Sequence, residues 1–113
     1  MEFKKETRSL EERKDEALKI LSAHATKIPV ILEPHNSAHV LQQSRFLVPK
    51  NYTFQEFVFH IRKRMQIGAM SSLYITTRNQ IPAMDHSIGK VYEEFKDPDG
   101  FLYAKYSSET VLG

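Results

Sequence analysis

A chain of 113 residues without one cysteine has room for a single packed core, and it excludes disulfides, thiolate metal sites and a cysteine nucleophile. No apolar run approaches the roughly 20 residues that span a bilayer, and Met1-Glu2-Phe3-Lys4-Lys5-Glu6 lacks the apolar stretch of a signal peptide, which predicts a soluble intracellular protein. The formal charge of +2 is uneven: residues 1 to 33 hold seven basic and seven acidic side chains, residues 34 to 84 six basic against Glu56 alone, and residues 85 to 113 three basic and six acidic.

Leu10, Ala17, Leu18, Ile20 and Leu21 lie among charged residues at helical spacing, and Ser9 with Glu12 makes a capping box, so the first element is a helix over 10–23 with a narrow apolar stripe. Lys27 to Glu33 reads as a strand, with Pro29 arguing that one side of it lacks a full hydrogen-bond ladder. Pro34 to Ser44 is polar and reads as a loop. Arg45 to Val48, closed by Pro49, is a second strand. Thr53 and Glu56 form a second capping box, opening a helix with Phe54, Phe57, Val58, Ile61 and Met65 inward and Gly68 just beyond its end. Arg62, Lys63 and Arg64 fall in its last turns, where positive charge suits the helix dipole; they form either a basic patch for acidic partners or a solvated face. Residues 72–77 are a third strand, 87–94 a short helix, and Phe101 to Tyr106 a fourth strand after the Asp99-Gly100 turn.

That order predicts an α+β fold: a ubiquitin-like β-grasp, a four-stranded mixed sheet with a long helix across it, burying Phe54, Phe57 and Phe101. Residues 1–26 are an N-terminal helical extension packed on the body, residues 27–108 form the β-grasp, and 109–113 a flexible tail. A terminal glycine carboxylate has no Cβ to hinder attack, and its backbone can enter a narrow enzyme channel, as a C-terminus that is activated and joined to an amine requires.

Ile28-Pro29-Val30-Ile31-Leu32-Glu33, Arg45-Phe46-Leu47-Val48-Pro49, Phe57 through Arg64, Val91-Tyr92-Glu93-Glu94, and Asp99-Gly100-Phe101-Leu102-Tyr103 with Tyr106-Ser107 and Gly113 resemble the ubiquitin-like modifiers of autophagy, the family of GABARAP and microtubule-associated light chain three. The resemblance runs from about Leu10 to Gly113, in the family's order and spacing. It implies a non-enzymatic modifier, without cofactor, joined through Gly113 to phosphatidylethanolamine after thioester transfer by an activating and a conjugating enzyme. It also implies a processing and deconjugating cysteine protease, a cytoplasmic pool and a lipidated pool on the autophagosomal membrane. The bare Gly113 leaves three origins open: a processed form, a truncated chain, or a gene encoding the mature end.

The resemblance further implies recruitment of cargo receptors through aromatic-x-x-aliphatic motifs, a mode that needs a strand edge, two apolar pockets and nearby positive charge. It places the aromatic pocket on Glu16, Ile20, Pro29, Leu47 and Phe101, the aliphatic pocket on Phe46, Val48, Pro49, Tyr52, Phe57 and His60, and the contacts to acidic motif residues on Lys27 and Arg45. By periodicity alone Ile20, Leu47, Phe57 and Phe101 read as plain core. Several positions depart from the family: Gln42-Gln43-Ser44 replace a lysine run, His60 replaces an apolar residue, Thr76 an aromatic one, and the tail lacks an aromatic residue before Gly113. The loop after Glu33 is also shorter by about two residues. These imply a divergent member.

The alternatives are a β-grasp adaptor that binds motif-bearing or microtubule-associated partners without conjugation, and an electrostatic adaptor for tubulin tails or nucleic acid, of which nucleic acid is not expected. His24, His35, His39, His60 and His86 show no helical pairing with a carboxylate, and Glu93-Glu94 no convergent partner, so neither a metal centre nor a catalytic site is predicted.

Overall fold

Each helix begins at a hydroxyl side chain that takes up an otherwise orphaned backbone N–H. In the computed structural model, which describes residues 7–37, 40–68 and 70–110, Ser9 Oγ accepts from the Glu12 N–H at 3.1 Å and Glu12 Oε1 from the Ser9 N–H at 3.0 Å, opening α1 (Leu10–Ala23). The Ser9 backbone bond, helped by the Ser9 hydroxyl, holds the Glu12 carboxyl below its usual range. Thr53 and Glu56 form the same box at 3.0 and 2.9 Å for α2 (Phe54–Met65), and Ser87 Oγ caps α3 (Ile88–Phe95) by accepting from the Lys90 N–H at 3.1 Å.

Four strands, β1 (Lys27–Ser37), β2 (Arg45–Pro49), β3 (Ser71–Thr76) and β4 (Leu102–Thr110), form one sheet in the order β2-β1-β4-β3. β1 and β4 run parallel at its centre, and the two outer pairs are antiparallel. Because side chains alternate across a sheet, Ile28, Val30 and Leu32 of β1 and Leu102, Ala104 and Tyr106 of β4 pack with Phe54, Phe57 and Ile61 of α2. Phe54 and Ile61, at 0% and 2% exposure, each contribute on the order of 1.5–3 kcal/mol by burial. On the other face Ile31 and Phe101 pack with Ala17 of α1. The sheet is thus sandwiched, with the added helix on one side and α2 and α3 on the other. Phe54 and Phe57 serve one layer and Phe101 the other.

Three boundaries differ from the sequence reading by more than one residue. β1 continues through Ser37 where a loop was expected, because β4 runs beside it to Ser108 with a register shift between Pro34 and Asn36 that absorbs His35. β4 continues to Thr110 rather than stopping at Tyr106, since the polar run Ser107 to Thr110 pairs with Ser71 to Tyr74 and tertiary pairing overrides weak strand propensity. α2 stops at Met65, and Gln66, left-handed at φ 56°, ends it in place of the expected Gly68. The α1 stripe is also narrower than expected: Ala17 is buried, Ile20 and Leu21 are half-buried, and Leu10 and Leu18 are exposed.

Candidate functional site

β2 lies at the edge of the sheet, and two flanking bonds fix which of its backbone groups face outward. The Leu32 N–H donates to the Ser44 carbonyl at 2.7 Å and the Lys50 N–H to the Thr26 carbonyl at 2.9 Å. With the register Ile28↔Val48 and Val30↔Phe46, the period of two turns the peptide groups of Phe46 and Val48 toward β1 and those of Arg45 and Leu47 away from the sheet. Pro29 opposes Leu47 and precedes the first β1–β4 pair, Val30↔Leu102, so its missing N–H breaks neither ladder.

A cavity opens on each face beside this edge. On the α1 face, a cavity of about 210 Å³ is lined by Ile20, Pro29, Leu47 and Phe101 together with Ile31, His24 and Arg45. Four of the five residues assigned to an aromatic pocket therefore meet. Glu16, the fifth, does not line it; its carboxylate pairs with Arg45 and, at 2.5 Å, with Arg8. Arg45, expected as a contact for acidic motif residues, is thus already engaged at the rim. On the α2 face, a cavity of about 290 Å³ gathers Phe46, Val48, Pro49, Tyr52, Phe57 and His60 with Lys27, Ile61 and Arg64. All six residues assigned to an aliphatic pocket share it. The His60 ring stacks on Tyr52 at 5.1 Å between centroids, so the imidazole lies flat as part of the wall.

The three cations of the basic trio each make separate contacts. The Arg62 guanidinium donates to the carbonyls of Gly68 at 3.1 Å and Ser71 at 2.6 Å, tying the end of α2 to β3. Lys63 sits 5.3 Å above the Phe59 ring, and Arg64 sits 5.4 Å above Phe46 and donates to Gln43 Oε1 at 3.4 Å. Charge-assisted capping and cation–π contacts have divided three adjacent cations among three tasks. Arg64 and Ile31 are site residues that the sequence reading did not assign to a pocket. Period-two spacing from Pro29 places Ile31 on the same face, whereas no local pattern signals that Arg64 reaches Phe46.

α1 forms one wall of the first cavity, and a polar latch holds it there. The buried Asp99 carboxylate accepts from Arg13 Nη1 at 2.7 Å, from the Phe101 N–H at 2.9 Å and from the Tyr103 hydroxyl at 2.5 Å. Burial, then the bond and charge of Asp99, push the Tyr103 phenol well above the ordinary tyrosine range against the pull of Arg13, so it stays a donor. Beside it Gly100 has φ +94°, and a Cβ there would stand 2.9 Å from the Ala17 Cβ, which accounts for glycine at the close approach of α1.

Gly113 and the tail residues Val111 and Leu112 lie outside the described residues, as does His39. Among the described residues no helix is long and apolar enough to cross a membrane, and no group of three or more His, Cys, Asp or Glu could hold a metal ion.

Comparison with known proteins gives three concordant findings. The family model described as autophagy protein Atg8, ubiquitin like, matches residues 12–113. Autophagy-related protein 8 of Dictyostelium discoideum is 38% identical over 107 residues, covering 92% of this chain and 88% of that protein; autophagy-related protein 8a of Arabidopsis thaliana is 36% identical over 106 residues, covering 92% and 87%. The crystal structure of Trypanosoma brucei ATG8 superposes with a TM-score of 0.85 at 36% identity, covering 96% of each chain.

Proposed function

Because the chain belongs to the Atg8 family of ubiquitin-like autophagy proteins, we propose that it is conjugated through Gly113 to phosphatidylethanolamine and captures partners that carry an aromatic residue followed three positions later by an aliphatic one. The observation that carries the capture reading is the placement of the two cavities on opposite faces of one strand edge. In an extended segment, residues three apart point to opposite faces. A segment added alongside β2 therefore sends its aromatic side chain toward Leu47 and Phe101 and its aliphatic side chain toward Val48 and Phe57. The α1-face cavity touches β2 at Arg45 to Leu47 and the α2-face cavity at Phe46 to Pro49, so the added segment runs parallel to β2.

Conjugation rests on family membership, and β4 carries the described chain as far as Thr110. The chain supplies the carboxylate and no catalytic group; activation, thioester transfer and later release belong to the activating enzyme, the conjugating enzyme and the cysteine protease of the system. Lipidation then holds the protein on the autophagosomal membrane.

Leu47 is 40% exposed and lines both cavities, which separates its binding role from core packing. Leu47→Ala weakens an aromatic-x-x-aliphatic peptide by about 1–3 kcal/mol, the range for losing a pocket wall around a buried anchor. Calorimetric titration beside a thermal melt checks this. Unchanged affinity in a stably folded variant rejects the site.

A further inference from the structure

The two ends of the sheet carry opposite charge. β1 and β4 run parallel and finish at the same end, where Ser71, the first residue of β3, pairs with Thr110, the last of β4. The end of α2 lies there too, because the Arg62 guanidinium reaches the Gly68 and Ser71 carbonyls. Residues 62–72 and 107–110 hold Arg62, Lys63 and Arg64 against Glu109 alone. At the opposite end, α3 and the turn into β4 hold, over residues 85–100, Lys90 and Lys96 against Asp85, Glu93, Glu94, Asp97 and Asp99. The molecule is therefore polarised along its strands, and β4 leads out at the positive pole.

The same end exposes two large apolar side chains. Met70 sits in the turn that the Ser71 N–H closes on the Gly68 carbonyl at 3.1 Å, and it is 62% exposed. Val40, 67% exposed, lines a cavity with Gln66 just past α2. Neither belongs to the core. Gly113 follows Thr110 by three residues, which span at most about 11 Å even when fully extended.

We infer that this end of the sheet is a membrane-facing surface, with Met70 set among the headgroups and the exposed Lys63 and Arg64 over the phosphates of anionic phospholipid. The inference rests on the conjugation reading above. A lipid joined at Gly113 brings the bilayer within that short span of the β4 end, so Met70 and its neighbours are the parts of the body that meet it first. An unbranched, polarisable thioether adapts to an irregular surface. Cations within a Debye length of anionic lipid are drawn to it, and the acidic far end is repelled. The acyl chains of the conjugate already hold the protein on the bilayer; what the surface adds is orientation. The strands stand upright, and the β2 edge with its two cavities faces sideways, clear of the membrane.

Because the chain has no cysteine, one substitution places one dye. Gly68→Cys puts it at the positive end, where a Cβ meets nothing within 4 Å, and Lys90→Cys puts it on α3 at the acidic end. The nine residues of β4 set these ends about 30 Å apart. Each labelled protein is conjugated enzymatically to phosphatidylethanolamine in vesicles that carry a nitroxide on a headgroup, with and without phosphatidylserine, and a mobility shift reads the conjugation. The expected result is severalfold stronger quenching of the Gly68 dye than of the Lys90 dye. Phosphatidylserine increases it, and that increase is lost at about 1 M salt, where the Debye length shrinks to about 3 Å. Adding Met70→Asp, at an exposed position where it leaves the melting temperature in place, removes most of the Gly68 quenching. Equal quenching at the two positions in conjugated protein, or quenching that responds to neither Met70→Asp nor phosphatidylserine, overturns the membrane-facing surface while conjugation stands. Absence of a mobility shift in every protein, the unlabelled one included, brings down the conjugation reading and the surface with it.

Discussion

Asp99→Ala lowers the unfolding free energy by about 3–5 kcal/mol, the range for removing one member of a buried ion pair. The Asp99 side chain is fully buried and holds three donors: a guanidinium from α1, the backbone N–H of Phe101 and the phenol of Tyr103. Its loss strips the buried Phe101 N–H of its acceptor and takes one partner each from the part-buried Arg13 and Tyr103, and an unmade buried bond costs free energy. At about 4 °C per kcal/mol for a domain of this size, the melting midpoint falls by roughly 12–20 °C. Tyr103→Phe removes a single hydroxyl and costs about 1 kcal/mol, which separates loss of the carboxylate from loss of one of its bonds. A loss below about 1 kcal/mol for Asp99→Ala contradicts the latch. Because Phe101 and Ile20 line the same cavity, surviving Asp99→Ala protein also binds aromatic motifs more weakly.

Gly113→Ala abolishes conjugation and leaves peptide affinity unchanged. In the proposed conjugation the reacting carbonyl belongs to residue 113 itself, so a methyl on its Cα crowds both attack by the accepting amine and passage through the enzymes' channels. The pockets, by contrast, are built from residues 20 to 101 of the folded body. A mobility-shift assay with activating and conjugating enzymes, ATP and phosphatidylethanolamine vesicles, run beside a peptide titration, reads both properties. Normal lipidation of the alanine variant overturns the modifier reading. Absence of lipidation in the unchanged protein, with peptide binding retained, favours the adaptor that is not conjugated.

The element order was legible because local chemistry announces helix starts. Ser9 with Glu12 and Thr53 with Glu56 form the boxes that their spacing promises. Strand lengths were less legible, since Pro34 looks like loop until β4 pairs with it, and the run Ser107 to Thr110 looks like loop until β3 pairs with it. The pocket residues were named through the family resemblance, and their meeting on two faces follows from period-two alternation in β1 and β2. Two contacts beside the edge were hidden. The Gln43 amide reaching the Arg45 carbonyl two residues on, and the Arg64 guanidinium reaching across 21 positions to that amide, leave no periodic trace. The separate contacts of the basic trio were hidden for a similar reason, because adjacency in sequence says nothing about which carbonyl or ring each cation meets.

Strand addition at β2 is tested most directly by residue-resolved amide exchange. With a saturating aromatic-x-x-aliphatic peptide, the outward-facing Leu47 N–H gains protection, while the Phe46 and Val48 amides, already turned into the β1 ladder, change little. Protection that appears on the β3 edge instead, or a Leu47 amide that exchanges equally fast with and without peptide, contradicts the account.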